Sequence, residues 1–295
     1  MSDDITSKDI TARTLREWRL PMPAADADKE VRGHVLIVAG SREIPGAVLL
    51  AATAALRAGA GKLSIATAAS VAPQIGVMVP EARVIGLAET AQGGLLADGA
   101  ESLLETCRKA TAVLIGPGMQ DDAASAGLVR ALLPHCGDAA LILDAAAMCI
   151  ARDGWRFDTP VLLTPHAGEL ACLTGANKDD INAGQAAAAR EAAQRWQATV
   201  ALKGALTVIA TPQGRQWCHR GGNTGLAISG SGDVLAGLIA GLAARGAALE
   251  QAAAWGVALH AMAGEQLSLR HGPLGYLARE ISTEVPALLR ALAAD

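Results

Sequence analysis

Aromatic residues are scarce in this chain: five Trp, one Tyr and one Phe amount to 2% of 295 residues. Platforms that stack single-stranded nucleic acid have almost no raw material, and the core must be assembled from Ala, Leu, Val and Ile. Positive charge is not in excess either, with 25 Lys and Arg against 29 Asp and Glu for a formal net charge of −4. Generic attraction to nucleic acid or to an anionic membrane is therefore not expected. No uncharged apolar run reaches the ~18 residues that suggest a membrane span; the longest cover 47–56 and 234–244. The first ten residues, MSDDITSKDI, are acidic and lead into no apolar segment, so no secretory signal is read and a cytoplasmic location is expected. Cysteine is sparse and unpaired in pattern. Cys107, Cys136, Cys149, Cys172 and Cys218 are odd in number and never spaced CxxC, which argues for small buried hydrophobes rather than zinc, cluster or redox ligation.

What is present is a series of short apolar runs: HVLIVA (34–39), KLSIA (62–66), AVLIG (112–116), ALILD (140–144), VLLT (161–164), TVALK (199–203) and LTVIA (206–210). They read as strands buried on both faces. Alanine-rich stretches of helical length separate them at 46–58, 98–109, 121–133 and 183–197, and 233–294 reads as almost wholly helical. Strand–helix alternation predicts an α/β sandwich with a mainly parallel central sheet flanked by helices. Residues 1–30 are polar and interrupted by Pro21 and Pro23, so they read as an N-terminal extension to one domain over 31–295.

In an open parallel sheet, ligands sit beyond the carboxyl ends of the strands. Those positions hold Gly40, Gly116–Pro117–Gly118, Asp144, Thr164–Pro165–His166 and Lys203–Gly204. The strongest feature lies later. Gly221–Gly222–Asn223–Thr224–Gly225 precedes Gly230–Ser231–Gly232–Asp233, which runs into the apolar segment VLAGLIAGLAAR. A glycine turn before a helix N-terminus lets several N–H groups converge on an anion, where the helix dipole already favours negative charge. Asp233 beside such a site reads either as a proton-moving carboxylate or as a first-turn acid that stabilises its helix by about 0.3–1 kcal/mol. His166 likewise reads as a substrate hydrogen-bonding group or as a helix cap. Asp144 could face a metal-bound phosphate or cap the next segment.

Two common phosphate motifs are absent. GAGK at 59–62 lacks the earlier glycine and the following Ser or Thr of a P-loop, and Leu235 stands where a dinucleotide fingerprint needs a small residue.

The ordered set GHVLIVAGS, PGAVLLAATAALRAGAG, Pro80–Glu81, IGPG, LILDA, LLTPHAGEL, ALKGALTVIA, Gly222–Asn223 and GSGDVLAG closely resembles the ADP-dependent NAD(P)H-hydrate dehydratases, a ribokinase-like family, from about residue 30 onward. The resemblance implies a ribokinase-like three-layer fold and ADP-driven dehydration of the hydrated cofactors NADHX and NADPHX to NADH and NADPH. AMP and phosphate would be released and magnesium would bridge the phosphates. It implies that Asp233 is the catalytic base and that the N–H groups of Gly230, Ser231 and Gly232 hold the transferred phosphoryl. Lys203, Gly204, Ala205, Leu206, Thr207 and Gly232 would contact the adenine nucleotide, and Ala47, Gly118, His166 and Asp233 would line the NAD(P)HX site.

The chain departs from the family pattern at Ala146, where an acid commonly stands, and after GPG, where Met119 replaces a frequent glycine. The resemblance further implies a homo-oligomer working with a separate NAD(P)HX epimerase, since about 30 residues before the core are too few for a fused one. Two other readings remain at this point: a ribokinase-like small-molecule kinase of thiazole-alcohol or pyridoxal type, and a silent nucleotide-binding module.

Overall fold

A computed structural model of the chain describes residues 7–24, 26–120, 123–157 and 159–293. Ten strands follow in chain order: β1 (Lys8–Asp9), β2 (His34–Val38), β3 (Lys62–Ala68), β4 (Ala82–Leu87), β5 (Ala112–Ile115), β6 (Ala140–Leu143), β7 (Val161–Leu163), β8 (Thr199–Leu202), β9 (Leu206–Ala210) and β10 (Gln216–Arg220). They form one sheet in the order β1-β10-β9-β8-β7-β6-β5-β2-β3-β4. Its pairings are parallel except the two made by β9, which runs against β8 and β10.

The eleven α-helices among the described residues are α1 (Ala12–Glu17), α2 (Gly46–Arg57), α3 (Ala72–Met78), α4 (Leu104–Lys109), α5 (Ala123–Leu132), α6 (Ala167–Thr174), α7 (Lys178–Ala183), α8 (Gln185–Trp196), α9 (Ser231–Ala244), α10 (Leu249–His271) and α11 (Ala278–Ala293). The helix expected over 121–133 is described from Ala123; residues 121 and 122 lie outside the described residues. None of these helices is long and apolar enough to cross a membrane.

The expected three-layer arrangement follows from alternation within the central strands. Val35 and Ile37 of β2 face a core shared with α1, α2, α3, α9, α10 and α11. Leu36 and Val38 face a second core built with α4 to α8. Both faces are covered, so these strands read as continuous apolar runs.

Part of the expected N-terminal extension packs on the domain. Lys8 and Asp9 add a parallel edge strand beside β10, and Ile10 and Leu15 are buried in the first core. Trp18 stacks on Trp217 with ring centroids 5.4 Å apart. The Trp18 carbonyl accepts from Trp255 Nε1 at 2.8 Å and from Gln251 Nε2 at 3.2 Å. Residues 1–6 lie outside the described residues. Though polar in composition, this segment docks through a few large apolar groups and backbone bonds.

Helices α2 and α9 approach through backbone rather than side chains. A Cβ on Gly237 would lie 2.2 Å from the Ala51 carbonyl oxygen, and one on Gly241 would lie 2.4 Å from that of Ala55. In an exposed helix, Gly→Ala stabilises by about 1 kcal/mol. Here Gly237→Ala is expected to reverse sign and cost about 1–3 kcal/mol by overpacking, read as a lower urea midpoint with an unchanged slope.

Candidate active site

Three neighbouring strands end in groups that meet. Asp144 follows β6, Thr164 follows β7 and Lys203 follows β8. Thr164 Oγ1 donates to Asp144 Oδ1 at 2.6 Å, and Lys203 Nζ donates to the same oxygen at 3.1 Å. Asp144 is 2% exposed; a carboxylate so deeply buried stays charged only when paired and hydrogen-bonded. Its side chain does not cap the following 3-10 helix, which removes one of the two readings of this residue. The turn that places it is strained: Ala145 has φ +46°, and Gly116 at the end of β5 has φ +128° with room for no Cβ, which would fall 1.8 Å from the Asp144 carbonyl oxygen.

Lys203 is correspondingly not a solvated charge. Burial pulls its ammonium pKa down, and the negative field of Asp144, Glu169 and Asp233 more than reverses that, leaving it above its ordinary value. Glu169 Oε2 stands 3.8 Å from Lys203 Nζ. The Lys203 backbone N–H donates to the Pro165 carbonyl at 2.8 Å, so His166 and Lys203 lie side by side on adjacent strand ends.

His166 takes the capping reading. It is the N-cap of α6: Nδ1 accepts from the N–H groups of Gly168 at 3.0 Å and Glu169 at 3.1 Å, while Glu169 Oε2 accepts from the His166 N–H at 2.8 Å. This reciprocal capping box fixes the ring. Because Nδ1 accepts, the neutral ring carries its proton on Nε2, and the half-exposed side chain offers that proton outward.

The remaining nucleotide candidates form the β8–β9 turn. Thr207 Oγ1 accepts from the Gly204 N–H at 3.3 Å and donates to the Gly204 carbonyl at 3.2 Å, so its hydroxyl closes the turn. Gly204 and Ala205 are exposed at its tip, and Leu206 is half-buried.

Opposite Lys203 sits the N-terminus of α9. Gly230 is its N-cap at φ +89°, where a Cβ would fall 2.4 Å from Leu50 Cδ1, and no side chain caps the helix. The Ser231 N–H donates to the Ile228 carbonyl at 3.2 Å, so of the three expected phosphoryl-holding N–H groups those of Gly230 and Gly232 are left for a ligand. A Cβ on Gly232 would lie 3.6 Å from Lys203 Nζ, which puts the lysine against this turn. Asp233 belongs to the same turn. Burial and then the charge of Asp144 push its pKa up to about 6, with Lys203 pulling the other way. Ala47, in the first turn of α2, meets Gly118, whose hypothetical Cβ would lie 2.6 Å from Ala47 Cβ.

The expected residues therefore gather into the β8 end with its turn, the α6 cap, the α9 N-terminus and the Gly118–Ala47 contact. Glu169 and His260 were not among the expected site residues, and Thr164 was named only as a strand-end position. Thr164 and Glu169 lie inside TPHAGEL, but the residues they hold come from other strands. His260 carries no sequence signal, being mid-helix in α10; its Nε2 lies 2.9 Å from Ser231 Oγ.

Size and chemistry point to opposite ends of the sheet. Hollows of about 910 and 590 Å³ open near the strands' amino ends, lined for example by Thr111 and Thr199, and by His34 and Lys62. The second hollow is lined by charged side chains as well, but the buried Asp144–Lys203 pair and the Asp233 carboxyl, its pKa raised to about 6, stand at the carboxyl ends, and such a shift marks a reaction site better than volume does. A smaller cavity of about 270 Å³ adjoins Glu169 and is lined by Met119 and Ala146, the two departures from the family pattern. The cysteine expectation holds in part: Cys107 and Cys136 are buried, Cys149 and Cys218 half-buried, but Cys172 is exposed.

A mainly parallel three-layer fold thus brings an uncapped helix N-terminus bearing an acid to face a buried lysine. Residues 35–287 match the family described as NAD(P)H-hydrate dehydratase. The chain is 49% identical over 283 residues to the ADP-dependent (S)-NAD(P)H-hydrate dehydratase of Xanthomonas campestris, covering 96% of each chain. It is 39% identical to a bifunctional NAD(P)H-hydrate repair enzyme of Moorella thermoacetica, over 96% of this chain and 54% of that one. Its fold is similar to the crystal structure of the ADP/ATP-dependent NAD(P)H-hydrate dehydratase of Bacillus subtilis co-crystallised with ATP and Mg2+, with TM-score 0.84, 32% identity and coverage of 98% and 99%. The chain belongs to the NAD(P)H-hydrate dehydratase family.

Proposed function

We propose that this protein dehydrates (S)-NADHX and (S)-NADPHX to NADH and NADPH at the expense of ADP, releasing AMP and phosphate. The observation that carries the reading is Asp233: a carboxylate with its pKa raised to about 6, on an uncapped helix N-terminus faced by Lys203. A general base works best with a pKa near the working pH, and an N-terminal turn that no side chain caps suits a phosphoryl in flight. Asp233 takes the proton of the ring hydroxyl. The freed oxygen attacks the terminal phosphorus of ADP, and the bond from that phosphorus to the bridging oxygen breaks to release AMP. Phosphate, a far better leaving group than hydroxide, then departs as the ring nitrogen donates its lone pair. Loss of a proton from the adjacent ring carbon restores the dihydronicotinamide double bond.

The chain's contribution is positioning and charge. Lys203 and the β8–β9 turn hold the nucleotide, the N–H groups of Gly230 and Gly232 hold the transferred phosphoryl, and Ala47, Gly118 and His166 line the seat of the hydrated ring. Among the described residues no three His, Cys, Asp or Glu side chains group as a metal cage. That fits magnesium, which keeps its waters and enters on phosphates with one or two carboxylates; Asp144 is the carboxylate that would share it. When bound, magnesium neutralises phosphate charge. We place the protein in the cytoplasm as a homo-oligomer that works with an NAD(P)HX epimerase, which supplies the S epimer from the R epimer. Relatives that carry a second activity, such as the Moorella enzyme, are about twice as long as the matched region.

The test is the growth of dihydronicotinamide absorbance when the protein meets S-NADHX, magnesium and ADP, with ATP and no nucleotide alongside. A nucleotide-dependent rise with stoichiometric AMP and phosphate is expected. No rise with either nucleotide overturns the reading, and a persistent phosphorylated product assigns the chain to the kinases instead.

A further inference from the structure

Behind the N-terminus of α9, His260 of α10 touches Ser231 twice. Its Nε2 lies 2.9 Å from Ser231 Oγ and 3.1 Å from the Ser231 carbonyl oxygen. A carbonyl oxygen only accepts, so the second contact requires the ring proton on Nε2. Burial pulls the His260 pKa down to about 4, so near neutral pH the ring is uncharged and carries that one N–H. The hydroxyl oxygen, closer still, accepts from the same N–H. The ring therefore cannot take the serine proton. Among the described residues no other group stands within hydrogen-bond reach of Ser231 Oγ, although Ser231 is only 5% exposed. A nearly buried hydroxyl with a proton and no acceptor in the protein points to a ligand oxygen.

We infer that His260 is a positioning residue: by donating from Nε2 to Ser231 it keeps the serine hydroxyl proton turned into the anion site, adding a side-chain donor to the backbone N–H groups that hold the transferred phosphoryl. The opposite tautomer would make the serine donate to the ring and present its lone pairs to the phosphoryl oxygens, weakening the same contact. The inference rests on the phosphoryl-binding role given above to the N-terminus of α9.

Ser231→Ala, His260→Leu, His260→Gln and the double variant Ser231→Ala/His260→Leu separate the possibilities. Loss of one donor to a charged group corresponds to a rate loss of about 10- to 100-fold. Ser231→Ala and His260→Leu are each expected to lose kcat on that scale while both KM values stay within about threefold of wild type. His260→Gln, whose amide N–H reaches the serine, recovers most of the loss. The double variant is no slower than His260→Leu, because the ring acts only through the hydroxyl. Wild-type kcat in Ser231→Ala, or multiplying losses in the double variant, overturns the inference. Should His260→Leu fail to fold, Ser231→Ala and the glutamine variant still decide.

A measurement independent of turnover is nitrogen-15 NMR of labelled histidine in the wild-type protein, which holds six histidines. The His260 signal is assigned by its loss in His260→Gln. A proton on Nε2 is expected, and a proton on Nδ1 overturns the inference. Absent dehydration by wild type rejects the proposed reaction instead, and the tautomer still reports on this one.

Discussion

Asp233→Asn is expected to lower kcat by on the order of 10²- to 10⁴-fold, the range that a positioned general base supplies, while the Kd for ADP changes little. The amide keeps the size and the first-turn position but cannot accept the hydroxyl proton. In the wild type, kcat/KM should fall about tenfold per pH unit below the Asp233 pKa of about 6, because protonation removes the base. The residual rate of the asparagine variant should show no such limb. Stability moves the other way. A carboxyl whose folded pKa is raised above the usual 3.8 favours folding at acid pH, and that contribution is lost as pH rises through about 6. At neutral pH the ionised Asp233 therefore opposes folding, and Asp233→Asn should melt higher than wild type. Lower activity with a higher melting temperature distinguishes a base held in an unfavourable place from a helix-stabilising acid, whose removal would lower both.

Lys203→Met is expected to produce the largest combined loss. Asp144, 2% exposed, would keep its bond from Thr164 but lose its cation. Breaking a buried pair from one side costs about 3–5 kcal/mol, readable by urea unfolding, and Asp144→Asn in the same chain should restore part of it. The Kd for ADP should rise by on the order of 10- to 100-fold, the weight of a charge-assisted contact to phosphate. The pH profile carries a third signature. Lys203 holds the Asp233 pKa down against burial and Asp144, so its removal should move the acid limb to higher pH. An unchanged limb would mean that the two groups do not share a field.

The central strands were legible because burial on both faces leaves a run of aliphatic residues with no polar interruption, as in HVLIV and AVLI. The edges were not. β4 alternates irregularly between exposed and half-buried residues, β10 reads QWCHR, and β1 is a two-residue bridge. Each draws its stability from a neighbour that the local sequence does not name. The candidate site was legible to the same depth. Gly116, Asp144, His166 and Lys203 stand where strands end, and that rule is local. The Asp144–Lys203 pair joins residues 59 apart, and it forms because β6, β7 and β8 are adjacent in the sheet. His260 and Ser231, 29 apart, meet only through the packing of α10 on α9. Composition predicted poorly wherever a few residues decide the outcome, as with Trp18 docking the supposed extension or Cys172 standing in the open.

The glycine-mediated contact between α2 and α9 also bears on selectivity. Gly237 meets Ala51 and Gly241 meets Ala55, four residues further along both helices, so the two run in the same direction in backbone contact. One begins beside Ala47 and the other at Ser231 and Asp233. On the reaction proposed above, the pair would act as a gauge of fixed gap between the seat of the acceptor ring and the seat of the phosphoryl. Close-packed interiors do not stretch to suit a ligand. An acceptor whose hydroxyl sits one bond farther from its ring would miss the gap, whatever is done to the loops around it. Redesign for such an acceptor would have to begin at these two glycines rather than at the residues that touch the substrate.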